Sequence, residues 1–599
     1  MGLRRLNPAL LPRLRRAPHA GRLLLVGLLF PALLQGQQAQ NPEGAASTAR
    51  ATLHGVVLNA TSGEPLARAL VRVTGDGGAG ALTDGEGRFE LADVGPGRQQ
   101  IEILKPGYLD ATAEAAAAAG GDTRTYAHTV MVGAEMPDVT FRMEPANAIH
   151  GQVQLSSGDL AEGIEMTLLH HTVESGRFVW QVAATTKTNA EGTYRFGGLP
   201  DGTYALYTAP TTDTETAGSP VDPRQAARAE SSGYASQFYP ETRDLSAAAK
   251  LQLQGGEQTE ANLTLTLEAF HPVTATMNLP PDIDGKNFSP DRPGTTLSAV
   301  LTDSQGHPLA YVAQYDEATH TVQTRLPDGN YVLIATAGRP MLATRRMGIA
   351  SSSRDVGGPY TGAVDFSVAG HAMTGLHIPL AAAPRSVLQV NLDRSGAAAT
   401  ASVNSSAEAV LTISQTGAWL SNAMVSTYAV GTLGSPVTTI FAAPGTYWVQ
   451  TNLADRNFCE GSLLAGGSSL AREPLTLSAS GSSAPLTLTL RDDCAKLTMS
   501  LPAAAEGPAL GEEPAYTVYA IPDFETTADV IPQTLRASTG GQVTLDGLTP
   551  GNYHVYVFDK PVALAYHDRS MIDALPTRGQ AINLASGQSA NLLLEVPQP

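Results

Sequence analysis

The sequence predicts an all-β protein: a tandem array of about five small β-sandwich domains behind a cleaved signal peptide. Three observations carry this. The 599 residues far exceed the ~100 to 200 that one hydrophobic core usually serves. Composition favours short strands and turns, with 42% hydrophobic and 16% charged residues, 59 Gly and 40 Pro. One strand, turn, strand unit recurs five times.

The unit is a strand with alternating apolar positions, a short turn ending in Gly, and a second alternating strand that usually opens with Tyr. Its copies are RFELADVGPGRQQIEI from Arg88, TYRFGGLPDGTYALY from Thr193, HTVQTRLPDGNYVLI from His320, PVTTIFAAPGTYWVQ from Pro436 and QVTLDGLTPGNYHVY from Gln542. The turn glycines are Gly97, Gly202, Gly329, Gly445 and Gly551, spaced 105, 127, 116 and 106 residues apart, one small sandwich each. Period-two alternation puts Phe89 and Leu91 on one face, and the PDG, PGT and PGN turns suit a β-hairpin.

A turn Gly and a closing apolar strand follow each unit, as in Gly256 before Leu263, Leu265 and Leu267. Each unit also opens with an alternating run, such as 53–58 and 149–155. The expected layout is a signal peptide over 1–40 and sandwiches over 50–145, 146–269, 270–384, 385–494 and 495–599. Short joins predict neighbours stacked as a stiff rod. Residues 211–228 and 351–362 read as loops, and Ala-rich 111–120 as a short helix or a loop.

The leader carries Arg4, Arg5, Arg13, Arg15, Arg16 and Arg22 ahead of the apolar run 23–34. That is a secretory pattern, too short to span a bilayer. Cleavage near 35–41 leaves a chain with no membrane span, expected to be secreted, periplasmic or associated with the cell surface. Loss of six Arg leaves 32 basic against 56 acidic residues, a net charge of about −24. Such a field repels nucleic acid, which is excluded as a partner. In an oxidising compartment the two cysteines, Cys459 and Cys494, are expected to form a disulfide. The bridge would contribute roughly 3 kcal/mol. A metal or redox pair lacks both CxxC spacing and a nearby His.

The first copy, from His54 to Tyr108, resembles the carboxypeptidase regulatory-like domain of bacteria, a transthyretin-like or Ig-like β-sandwich. The residues that carry the likeness are HGVVLNATSGEPLARALVRV, TDGEGRFEL, the turn ending at Gly97, and KPGY. The second copy matches over HGQVQL, NAEGTYRFGGLPDGTY and YASQFYPETRD. Copies three to five share only the turned unit and the closing strand. The resemblance implies an accessory role, since such domains are appended to metallocarboxypeptidases or to outer-membrane receptor barrels. No catalytic domain remains unassigned here.

His171 and Glu174 form an HxxE string like the first metal pair of zinc carboxypeptidases. A catalytic zinc needs a third ligand, and His271 and His307 lie in the next copy. Asp84 and Glu86 resemble part of a calcium loop, with too few oxygens. GxSxG, SxxK and GxxxxGK are absent. Tyr234, Phe238 and Tyr239 form an aromatic cluster in an apparent loop and are candidate ligand-binding residues, with Trp180 and Trp419 also outside the repeat. The competing reading is that these rings cap sandwich ends.

The expected function is thus a non-catalytic exported scaffold or adhesion protein of the cell envelope, with an unknown protein or polysaccharide as partner. A carbohydrate-binding protein is the alternative, and a cryptic zinc metallocarboxypeptidase accessory a third reading. No cofactor and no enzymatic activity are expected.

Overall fold

The computed structural model describes residues 50–596 except 75–79, 111–127, 134–135, 213–231, 279–295, 305, 317, 339–359, 383–384, 394–408, 418–425, 431–437, 442–444, 478–483, 503–510, 513, 537–539 and 577. The leader, the Ala-rich run, Trp419 and most of both expected loops lie outside the described residues.

Five hydrophobic cores follow one another along the chain. Leu53, Val57, Leu91, Ile101, Phe141 and Met143 sit in the first, and Ile149, Leu168, Tyr204 and Leu263 in the second. The third holds Val273, Leu333 and Ile378, the fourth Leu411, Tyr447 and Leu488, and the fifth Leu497, Val555 and Leu594. Each core is filled by the inward residues of two facing sheets, as alternation requires.

All five modules share one pairing rule. The opening strand lies between the first strand of the repeat unit, antiparallel to it, and the closing strand, parallel to it. In the first module Ala51–Asn59 pairs with Arg88–Val94 and Val139–Pro145. In the second, Asn147–Leu155 pairs with Thr193–Leu199 and Leu263–Leu265. The third uses His271–Asn278 between Thr321–Leu326 and Met373–Pro379. The fourth uses Arg385–Asp393 between Thr438–Phe441 and Leu486–Arg491. The fifth uses Ala495–Ser500 between Gln542–Leu548 and Ser589–Leu593.

The repeat unit is not a hairpin. Its second strand crosses to the opposite sheet in every module: Gly97–Leu104 joins Leu70–Val73 and His128–Val132, and Gly202–Thr208 joins Glu165–Glu174. The turn is an arch between sheets, and Gly97 takes φ +91 there without strain. Three arches are pinned by the Tyr of the repeat, whose hydroxyl donates to the carbonyl four residues earlier: Tyr204 to Pro200 at 2.9 Å, Tyr331 to Pro327 at 2.9 Å, and Tyr553 to Thr549 at 2.7 Å. A buried ring with a satisfied hydroxyl fixes the corner.

The modules do not stack only in sequence as a rod. Residues 48–599 form one compact unit in which the chain doubles back. The two-residue strand Gly511–Glu512 of the fifth module adds to the edge of the first module's sheet beside Val130 and Met131. A long ribbon of the second module reaches both the fourth and the fifth. Stacking by sequence neighbours also occurs: Ala310 of the third module packs on Leu169, Ala205, Tyr207 and Phe238 of the second.

Candidate functional site: cross-module clasps

The ribbon is made by Glu165–Glu174 and Arg177–Lys187, strands of 10 and 11 residues against the usual five or six. Only 166–171 of its first strand pairs with the body of the module, so the distal end from 172 to 174 projects as an arm. Ser175 and Gly176 form the tip, both at positive φ.

That tip is seated against two other modules. The Arg177 guanidinium lies 3.6 Å from the centroid of the Trp448 ring of the fourth module. Its Nη2 donates to the Ala471 carbonyl at 3.3 Å. Ser175 Oγ donates to Gln450 Oε1 at 3.4 Å. On the other side the His567 amide of the fifth module donates to the Gly176 carbonyl at 3.1 Å. A Cβ on Gly176, already at φ +73, would collide with the Tyr566 ring. Burial, and then the Arg177 charge, push His567 down to about 4, so the imidazole is neutral at neutral pH.

A second clasp joins the fourth and fifth modules. Glu460, 3% exposed, accepts from the Thr527 amide at 2.7 Å, Thr527 Oγ1 at 2.7 Å and Thr526 Oγ1 at 3.1 Å. Burial raises its pKa, and the Thr527 donors oppose the rise. The Cys459–Cys494 disulfide lies at the same joint, with Cα atoms 5.7 Å apart, and ties a strand of the fourth module to the segment entering the fifth.

The third clasp lies between the first and fifth modules. His128, buried in the first module, shares Nδ1 with Glu512 Oε1 at 2.5 Å and Nε2 with Asp110 Oδ2 at 3.0 Å.

The residues singled out in the sequence fall elsewhere. Tyr234 and Phe238 do not form an exposed platform. Tyr234, 5% exposed, is in the second core, and Phe238, 3% exposed, packs against Tyr207 with centroids 4.8 Å apart. Tyr239 is partly buried against the same core. The apparent loop holds two short strands, Ser232–Tyr234 and Gln237–Phe238, whose pairing turns the rings inward.

His171 and Glu174 lie on one strand three positions apart, hence on opposite faces. His171 stacks with Phe178 and Trp180, with centroids 4.9 and 4.7 Å away. Glu174 accepts from Gln181 at 3.0 Å. His271 and His307 sit beside Asp328 and Asp303 of their own module. Asp84 closes a turn by accepting the amides of Glu86 and Arg88 at 3.0 and 2.8 Å, and Asn189 does the same for Glu191 and Thr193. Among the described residues no three His, Cys, Asp or Glu side chains gather as a metal site.

Sequence reading missed Gly176, Arg177, Trp448, Tyr566, His128 and Glu512. The one available signal was the unusual length of two alternating runs on either side of Ser175.

Residues 52–131 match the family model of the carboxypeptidase regulatory-like domain. The first module is similar to that family over those residues. It supplies His128 to the clasp with the fifth module. No curated protein matches the sequence. Among solved structures, the chain is similar to the Bacillus anthracis TIE protein, at 14% identity over 55% of this chain and 51% of that one, with a TM-score of 0.15; it spans about half of that relative's length. It is also similar to GBS52, the minor pilin of Streptococcus agalactiae, at 14% identity over 36% and 95%, TM-score 0.17. For the full-length RrgB pilus protein of Streptococcus pneumoniae the values are 9%, 76% and 99%, TM-score 0.13.

Proposed function

We propose that the chain is a non-catalytic, exported scaffold of the cell envelope whose β-sandwiches are braced into one rigid body that presents its surface to a partner. The observation that carries this is the arm of the second module, held by Arg177 on Trp448 and by Gly176 against Tyr566 and His567. Material is invested in fixing modules relative to one another, through a ring stack, backbone hydrogen bonds and a buried carboxylate, and not in converging reactive groups. The Arg-rich leader and the disulfide support export. Among the described residues no helix is long and apolar enough to cross a membrane. The carbohydrate-binding alternative loses its main support, since Tyr234 and Phe238 are core residues.

Three measurements on the purified chain and its producing cells test the proposal. Cell fractionation should place the chain outside the cytoplasm. Metal analysis should find less than stoichiometric zinc, and C-terminal peptide substrates should remain intact. Limited proteolysis should give one resistant body much larger than ~100 residues. Cytoplasmic retention, peptidase turnover, or rapid decay to single-module fragments would each overturn it.

A further inference from the structure

His128 occupies an unusual position for a structural histidine. It stands on His128–Val132, the strand to whose edge the fifth module adds Gly511–Glu512. Its side chain is 6% exposed and has a carboxylate on each ring nitrogen. One, Asp110, comes from the short strand Tyr108–Asp110 of the same module; the other, Glu512, comes from the fifth. Phe141 of the first core lies against the ring at 4.8 Å and adds no charge. Among the described residues the charged groups acting on this imidazole are Asp110 and Glu512.

A neutral imidazole has one N–H and can donate to one carboxylate only; the other carboxylate then faces a lone pair. Protonated, it donates to both, and the two module surfaces are joined through one cation. The backbone contribution to this contact is small, since only Gly511 and Glu512 pair with Met131 and Val130. Attachment of the fifth module at this edge therefore depends on the charge state of one buried side chain.

We propose that His128, held between Asp110 and Glu512, is a proton-operated latch that fastens the fifth module to the first and releases it as the solution becomes alkaline. Burial works against the charged ring, but the hydrogen bonds and charges of Asp110 and Glu512 outweigh it and raise the pKa to about 9. A raised histidine pKa gives a contribution that is fully present below ~6.5, the unfolded value, and is lost as pH rises through about 9. Opening leaves Asp110 beside the ring, so the part of the rise that belongs to Glu512 sets how far the closing equilibrium moves with pH.

Hydrogen exchange on the intact chain, expressed as protection relative to the intrinsic rate at each pH, tests this. Protection over 511–516 should be lost progressively between pH 6 and pH 10, together with that of 128–132. In His128→Gln, which keeps a donor but cannot titrate, the pH dependence should vanish. Glu512→Gln, a change at a partly exposed side chain, should lower protection over 511–516 already at pH 6. The latch is overturned if protection over 511–516 does not change with pH, or if it declines as steeply in His128→Gln. It is also overturned if only 128–132 responds, because the titration would then act within the first module alone, or if Glu512→Gln leaves 511–516 as protected as before.

Discussion

Arg177 and Trp448 belong to the second and fourth modules, yet the guanidinium carbon sits 3.6 Å from the centroid of the indole ring. The pair is the centre of a contact that skips the intervening module entirely, and its energetics can be isolated.

Arg177→Ala removes the ring stack and the bond to the Ala471 carbonyl. A cation on an aromatic face contributes ~0.5 to 2 kcal/mol, and a hydrogen bond from a charged donor somewhat more than 1. The expected loss is about 1 to 3 kcal/mol in chemical denaturation, with new protease cleavage within the arm. Arg177→Lys should recover only part of it, because an ammonium lacks the planar fork.

Gly176→Ala tests the other side of the arm. The added methyl collides with the Tyr566 ring, at a backbone angle that side chains other than glycine rarely adopt. Destabilisation of at least ~1 to 2 kcal/mol is expected. Pairing it with Tyr566→Ala should relieve the collision but not the backbone strain, so a double-mutant cycle will show favourable coupling.

His567 supplies a pH dependence of opposite sign to that of His128. Its folded pKa, pushed down to about 4 by burial and then by Arg177, lies below the unfolded value. The folded arm contact therefore binds fewer protons, and its stability falls as pH drops from ~6.5 toward 4, by up to roughly 3 kcal/mol. Denaturation midpoints measured from pH 7 to pH 4 should decline, and His567→Gln should flatten that decline.

Thr527→Val leaves the Glu460 carboxylate buried without one of its hydroxyl donors. Because a buried acceptor without a partner costs its desolvation, a loss of about 1 to 3 kcal/mol is expected. Differential scanning calorimetry should show the fourth and fifth modules melting less cooperatively.

Reduction of Cys459–Cys494, or the Cys494→Ser change, should cost roughly 3 kcal/mol, mainly by freeing the unfolded chain. The effect should be confined to the transition that involves these two modules.

Much of the architecture is legible in the residues themselves. Alternation around Phe89, Tyr204 or Tyr553 reports an inward face, and the recurrence of the turn glycine reports how often a core is rebuilt. What alternation cannot report is which sheet receives a strand, so Arg88–Val94 and Gly97–Leu104 look like hairpin partners although they face each other across a core. Tyr234 and Phe238 misled for a related reason: strands of two or three residues are too short to show a period. The arm tip is marked only by the length of the runs that flank it, because Ser-Gly-Arg is an ordinary turn sequence. Its meaning comes from Trp448 and Tyr566, which no local pattern connects to it.

The strand Gly511–Glu512, which covers the edge of the first module, sets a schedule for biogenesis. Roughly 380 residues separate it from Val132, the end of the edge it covers. A chain that emerges N-terminus first can fold the first module before the covering strand is present, and the edge then stays bare until the fifth module arrives. An open edge recruits whatever extended chain is nearby, including a neighbouring nascent copy. The interval before the fifth module arrives is therefore when a holding chaperone would most improve the yield of correctly closed chains.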